Sequence, residues 1–302
     1  MFPLKSPKSK KDNNPTAGGS SSAPPPPWVE LPRDLTENIL RRVGPLEILE
    51  NVQYVCTTWQ SVCNQPSMWR VIDIKKSYRD DDEIPDILCR LAVDLSQGEL
   101  IDINIDCYFT DLLDYISERS SHLKRLRLGR CDVVPTEYLT TSIKKFPELE
   151  ELHLFHLMNI TAEEIEAISI SCPKLKSFSF SNRGPRIPLV EIDDSYALII
   201  AKNMPNLQHL FLIGNRLTNE GLKAIFKGCP KLESLELRKC FNIDLRGDFG
   251  KICSERIKDL KCHPFLDYDY EWDDMIYDEE DWSVSSDYDE EDWSASSDDY
   301  SD

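Results

Sequence analysis

The sequence predicts an α/β chain in which three short N-terminal helices lead into a solenoid of parallel strands alternating with helices, between disordered termini. Three observations carry this expectation. Apolar residues recur at helical spacing between residues 31 and 70, interrupted by Gly44-Pro45 and halted at Pro66. The pattern LxxLxL then recurs five times from Leu123, at intervals of 26, 26, 32 and 25 residues. Both ends depart from globular composition. Residues 1–27 are rich in Pro, Ser, Gly and Lys, and residues 267–302 hold 17 Asp or Glu with no Lys or Arg.

The leader, residues 1–27, cannot bury a core. Its grouped Lys5, Lys8, Lys10 and Lys11 are read either as a solubilising charge or as a weak nuclear-import signal. Pro24 to Pro27 form a stiff spacer before Trp28.

Within residues 28–70, Asp34 with Glu37 three positions on suggests a capping box. Leu35, Ile39, Leu40 and Val43 then share one helical face. Gly44-Pro45 restarts the chain with Pro at the first helical position. Leu46, Ile48, Leu49, Val52 and Val55 make a broader apolar surface, and Cys56, Trp59, Val62 and Cys63 mark a third helix before Pro66 and Trp69. Helices this short cannot bury so much apolar surface among themselves. Units of about forty residues usually need a metal, disulfides or a partner, and with no paired ligands here a partner is expected.

The spacing LPxxLxxxIL, VCxxW, PxxW, carried by Leu31, Pro32, Leu35, Ile39, Leu40, Val55, Cys56, Trp59, Pro66 and Trp69, resembles the F-box. The resemblance implies docking on a Skp-type adaptor that bridges to a cullin-based ubiquitin ligase. It places Leu31, Pro32, Leu35, Ile39, Leu40, Ile48, Leu49, Val55 and Trp59 at that contact.

Residues 71–262 are expected to form about seven to eight repeats. The five clear copies start at Leu123, Leu149, Leu175, Leu207 and Leu232, with weaker ones at Trp69, Leu100 and Ile257. Helices are expected after the strands, for example over 162–171 and 219–227. The pattern resembles the cysteine-containing leucine-rich repeat, with Cys131, Asn215 and Cys240 at the ninth position; Ser77, Tyr108, Leu157 and Arg183 depart from it. Cys172-Pro173 and Cys229-Pro230 match the join that ends a helix and feeds the next strand. No repeat can bury its own apolar edge, so stacking supplies the core.

Together with CFNIDL at 240–245 and CSERIKDL at 253–260, residues 28–262 resemble a plant group of short F-box/leucine-rich-repeat proteins. That resemblance implies a non-catalytic substrate adaptor of an SCF-type (Skp-cullin-F-box) ligase, with an unspecified protein substrate. Eight strands span only about 34 Å of stack, so the hormone or inositol-phosphate cofactor of larger closed-ring relatives is not carried over and no cofactor is expected.

The formal charge of −19 is a property of the tail, since residues 1–266 carry only −2 of it. A nucleic-acid footprint is therefore not supported. No apolar run approaches the roughly 18–20 residues of a membrane span. Ten cysteines without a secretion signal or a CxxC pair point to reduced thiols in cytoplasm and/or nucleus. No Gly-rich phosphate loop, HExxH or GxSxG motif points to an enzyme. The histidines His122, His153, His156, His209 and His263 are scattered, as packing or surface residues are.

Strand alternation sends the residues between core leucines to the concave face. That row reads Asp73, Asn104, Arg127, His153, Ser179, Phe211, Glu236 and Lys261, with Phe155, His209 and Ile213 beside it. Arg127, His153, Phe155, His209, Phe211 and Ile213 are therefore the expected substrate-binding residues. The alternative is that the loop of the long repeat, residues 182–194, covers Phe155 and Phe211. In the acidic tail, 263–302, YDEEDWSVSSD at 277–287 recurs as YDEEDWSASSD at 288–298. It reads as a solvated segment, or as a clamp for a basic partner tunable by phosphorylation at Ser286 or Ser296. A scaffold or acidic chaperone that binds basic proteins without ubiquitin transfer is the competing function.

Overall fold

The computed structural model describes residues 28, 31–74, 86–106, 111–129, 131, 134–157, 160–182 and 192–263. The leader 1–27, the tail beyond 263, most of the long-repeat loop, and the turn positions Ser77, Tyr108 and Arg183 lie outside them.

Helix α1 (Arg33–Leu40) starts behind Pro32, which occupies the N-cap and offers no side-chain hydrogen bond. The expected capping box therefore does not form. Asp34 lies inside the first turn, where a carboxylate still favours the positive end of the helix. Glu37 instead pairs with Arg41 at 2.5 Å and accepts from Ser67 Oγ at 3.2 Å. Gly44 at φ 99 takes a backbone conformation that side chains resist, and Pro45 then opens α2 (Pro45–Glu50). After a 3-10 turn at Val52–Tyr54, Cys56 caps α3 (Thr57–Cys63), its sulfur accepting the Trp59 N–H at 3.5 Å. A second 3-10 turn, Pro66–Trp69, delivers the chain to β1 (Val71–Ile74).

From there strands and helices alternate: α4 (Asp86–Leu95), β2 (Asp102–Asp106), α5 (Leu112–Arg119), β3 (Arg125–Gly129), α6 (Thr136–Ile143), β4 (Glu151–Leu157) and α7 (Ala162–Ser171). Then follow β5 (Ser177–Asn182), α8 (Ser195–Asn203), β6 (His209–Ile213), α9 (Asn219–Gly228), β7 (Ser234–Arg238), α10 (Asp248–Arg256) and β8 (Asp259–His263). The strands form one eight-stranded parallel sheet in sequence order. Two ladders run through it. Ile72, Ile103, Leu126, Leu152, Phe178, Leu210, Leu235 and Leu260 form the first, and the residues two further on form the second. The first seven members of each are at most 2% exposed.

The three N-terminal helices are not an isolated unit. α2 packs on α4 and β1, and Leu40, Ile48, Leu49, Met68 and Trp69 belong to the same buried cluster as the repeats. The solenoid itself thus covers part of the apolar surface for which a partner was expected. Leu40, Ile48 and Leu49 lie in that cluster at 0%, 4% and 4% exposed, so within this chain they are already covered.

Cysteines close the repeats as small buried hydrophobes. The Cys131 thiol donates towards the Leu128 carbonyl at 3.6 Å, and Cys240 towards Arg238 at 3.4 Å and Leu212 at 3.6 Å. Asn215 does the equivalent work by accepting the Leu217 N–H at 2.9 Å, and Leu157 fills its turn by packing, fully buried. Cys172 and Cys229 reach back one repeat, to the Phe146 carbonyl at 3.7 Å and the Ile200 carbonyl at 3.8 Å. Burial pushes the Cys172 and Cys240 thiols up to about 12 and Cys229 to about 11, so they stay protonated. Where α8 and α9 meet, a Cβ at Gly228 would stand 2.0 Å from the Ala201 carbonyl oxygen, so only glycine allows that approach.

Candidate functional site

The residues that the motifs single out lie on two surfaces. The first lies on the N-terminal helices. Leu35 and Ile39, one turn apart on α1, are 50% and 47% exposed. Val43, Tyr54 and Val55 are also exposed, Pro32 is exposed, and Leu31 and Trp59 are half-buried. The Trp59 indole nitrogen is buried with no hydrogen-bond partner. Tyr54 is not singled out by the motif; its position just before the VCxxW segment is the only sequence signal for it.

The second surface is the concave face. Its row is in register as Asp73, Asn104, Arg127, His153, Ser179, Phe211, Glu236 and Lys261. Asp102 organises its first half. This carboxylate, 8% exposed, accepts from Arg125 Nε at 2.7 Å and from Arg127 Nη2 at 2.6 Å. The Arg127 Nε is buried and has no acceptor. Asn104 Nδ2 donates to Asp73 Oδ1 at 3.1 Å. His153 Nδ1 lies 2.7 Å from Ser179 Oγ, and its other nitrogen stands 4.0 Å from Glu151. Its proximity holds the Glu151 carboxyl below the usual range.

Phe155 stacks on His153, with centroids 6.4 Å apart and planes 6° from parallel, yet is only 5% exposed. Strict alternation ends just before it. The β4–β5 ladder shifts between Leu154 and Leu157, and His156 has φ 57. Ile213 is 8% exposed as well. The large apolar patch expected from spacing is therefore reduced to Phe211, half-buried beside the exposed His209. The Arg238 guanidinium lies 5.1 Å from the Phe211 ring centroid and donates to Glu236 at 2.7 Å. Asp102, Arg125 and Arg238 are not marked by the leucine pattern; charged residues at matching positions of adjacent strands are the signal that could reveal them.

Among the described residues, no three His, Cys, Asp or Glu side chains gather as a metal site requires, and no helix is long and apolar enough to cross a membrane.

Residues 28–75 match the F-box-like family model. The putative F-box/LRR-repeat protein 22 of Arabidopsis thaliana is 42% identical over 274 residues, covering 86% of this chain and 88% of that protein. The chain belongs to the plant F-box/LRR-repeat family. The putative F-box/LRR-repeat protein 23 of the same plant is 48% identical over 242 residues; that match covers 78% of this chain but only 53%, about half, of the relative. Among solved structures, the crystal structure of the Rad7 and Elc1 complex in yeast contains a chain that is similar at a TM-score of 0.47 and 12% identity, over 79% of this chain and 70% of that one. In this F-box/LRR protein the motif residues divide between an exposed set on α1 and before α3, and a buried set that belongs to the chain's own core.

Proposed function

We propose that this F-box/LRR protein is the substrate-recognition subunit of an SCF-type ubiquitin ligase. Leu31, Pro32, Leu35, Ile39, Val55 and the open side of Trp59 dock on a Skp-type adaptor, which bridges to a cullin. The concave face, from Asp102 to Phe211 and Arg238, holds the protein that is ubiquitinated and sent for degradation. The protein contributes binding and positioning, not chemistry.

The observation that carries this reading is the division of the motif. Leu40, Ile48 and Leu49 are buried, whereas Leu35, Ile39 and Val55 are 50%, 47% and 53% exposed, leaving apolar side chains that a buried protein contact would use. Membership of the F-box family supports the choice of partner. The test is to compare proteins co-purifying with wild type and with Leu35→Ala/Ile39→Ala/Val55→Ala, with and without proteasome inhibition. Adaptor and cullin should be lost from the variant. Substrates should remain bound to it and accumulate without the inhibitor. If partner turnover is unchanged, the protein is a scaffold that binds without ubiquitin transfer.

A further inference from the structure

The two ends of the strand stack are finished differently. At the start, Ile72 and Ile74 of β1 are each 1% exposed, with α2 packed against the strand. At the far end, Leu260 and Cys262 hold the corresponding ladder positions on β8 and are only half-buried. A stack of repeats exposes its last apolar edge unless something covers it. The backbone is open there as well. Asp259 turns its N–H to the β7 side, donating to the Glu233 carbonyl at 3.1 Å, and Lys261 shares that orientation because bonding alternates along a strand. The N–H and C=O of Leu260 therefore point to the other edge, where no described residue forms a strand.

The charges of β8 decide what that edge accepts. On its concave side it carries Asp259 and Lys261, whose carboxylate and ammonium stand 3.7 Å apart. A strand with this order is complementary to itself run backwards. Two copies related by a two-fold axis through Leu260 would exchange both backbone bonds between their Leu260 residues. Asp259 of each copy then falls opposite Lys261 of the other. These are the closer, non-hydrogen-bonded pairs, about 4.5 Å between Cα atoms, and the four charges alternate round a square. An axis through Asp259 or Lys261 would instead oppose like charges at that short distance, which is destabilising.

We propose that β8 pairs antiparallel with β8 of a second copy of this chain, joining two solenoids tail to tail. Leu260 of each copy then covers the half-buried end of the other's ladder. The axis is normal to the sheet, so both concave faces look the same way. Two eight-stranded sheets become one continuous surface, about 72 Å along the sheet, with the N-terminal helices at its outer ends. The acidic residues that follow 266 in the sequence do not oppose this. Antiparallel strands leave the interface at opposite ends, roughly 20 Å apart and beyond the Debye length of about 8 Å in physiological salt. This inference rests on no part of the ligase reading.

The experiment is sedimentation of the full chain over a concentration series, with charge variants of β8. Wild type should run as two chains at high concentration and as one on dilution. Asp259→Lys and Lys261→Asp each turn two attractions into two repulsions and should weaken the dimer roughly tenfold or more. The two side chains keep 57% and 36% of their surface, so the exchanges leave the fold intact. An equimolar mixture of the two variants restores opposite charges at both pairs and should associate as wild type does, as should Asp259→Lys/Lys261→Asp. A monomeric wild type, single variants that associate like wild type, or a mixture that stays monomeric overturns the proposal. A second readout needs no charge change. Under mild oxidation Leu260→Cys, lying on the axis, should form a disulfide between two chains, and Lys261→Cys, set too far from its own copy, should not. Equal cross-linking of both, or slow exchange of the Leu260 amide in a monomer, also overturns it.

Discussion

The Trp69 indole N–H donates to the Cys63 carbonyl at 2.7 Å, and both residues are 1% exposed. This bond ties the last F-box helix to the turn that starts β1, so the F-box is the N-terminal cap of the solenoid. In the proposed ligase, a fixed cap would hold the concave face at a fixed position relative to the adaptor. Trp69→Phe keeps the ring but orphans a buried carbonyl and leaves a void. It should lower stability by about 2 kcal/mol in urea titrations. Adaptor affinity, which in the proposed complex rests on other side chains, should change little.

Asp102→Asn tests the charged half of the concave face. One carboxylate serves two guanidiniums, and removing its charge leaves both near a site closed to most water. Breaking a fully buried pair costs about 3–5 kcal/mol. Because the Arg125 and Arg127 side chains keep 33% and 22% of their surface, the figure here should be nearer to about 2 kcal/mol. Asp102→Ala with Arg125→Ala and Arg127→Ala should recover part of that loss. Thermal or denaturant midpoints of the single and triple variants decide it.

Cys172, Cys229 and Cys240 predict an alkaline weakness. Their thiols are raised from 9.0 to about 12, 11 and 12 in the folded chain. The folded state therefore holds its protons where the unfolded state releases them. Stability is intact below pH 9.0 and is lost as pH rises from there towards about 11–12. Each thiol should remove about 1.4 kcal/mol between pH 8 and pH 10. Replacing Cys172 and Cys229 by Ala should make the slope of denaturation free energy against pH shallower over that range, whatever it does at pH 7.

Phe155 and Phe211 should separate. Phe155→Ala empties a site that is 5% exposed and should cost about 3 kcal/mol. Phe211→Ala, half-buried under Arg238, should cost about 1 kcal/mol and, combined with His209→Ala, abolish capture of substrate by a chain that still melts cooperatively. If capture survives that pair while Asp102 variants lose it, the substrate sits on the charged half.

The repeat was legible because burial of the two ladder positions forces leucine-like residues at a fixed period, and the register follows from that period alone. The concave row could be read for the same reason. Phe155 could not, because its position is buried throughout the repeats whatever alternation suggests: Ser181, Ile213 and Arg238 hold the matching place in regularly paired strands and are at most 8% exposed. The split between Leu35 or Ile39 and Leu40, Ile48 or Leu49 was also hidden. Spacing shows which residues of a short helix are apolar, but not whether their cover is the same chain or another. The capping box failed for a simpler reason: Pro32 took the cap position that Asp34 needed.

The central claim is that the exposed apolar residues of the F-box bind an adaptor. It is tested most directly by measuring the dissociation constant of the full chain for a Skp-type adaptor by calorimetry. Wild type should be compared with Leu35→Ala/Ile39→Ala/Val55→Ala and with Leu31→Ala/Pro32→Ala. Truncation at such a contact costs roughly 2 kcal/mol or more at each anchoring residue, so both variants should bind at least about thirtyfold more weakly while unfolding at the wild-type midpoint. Wild-type affinity in both variants would contradict the account.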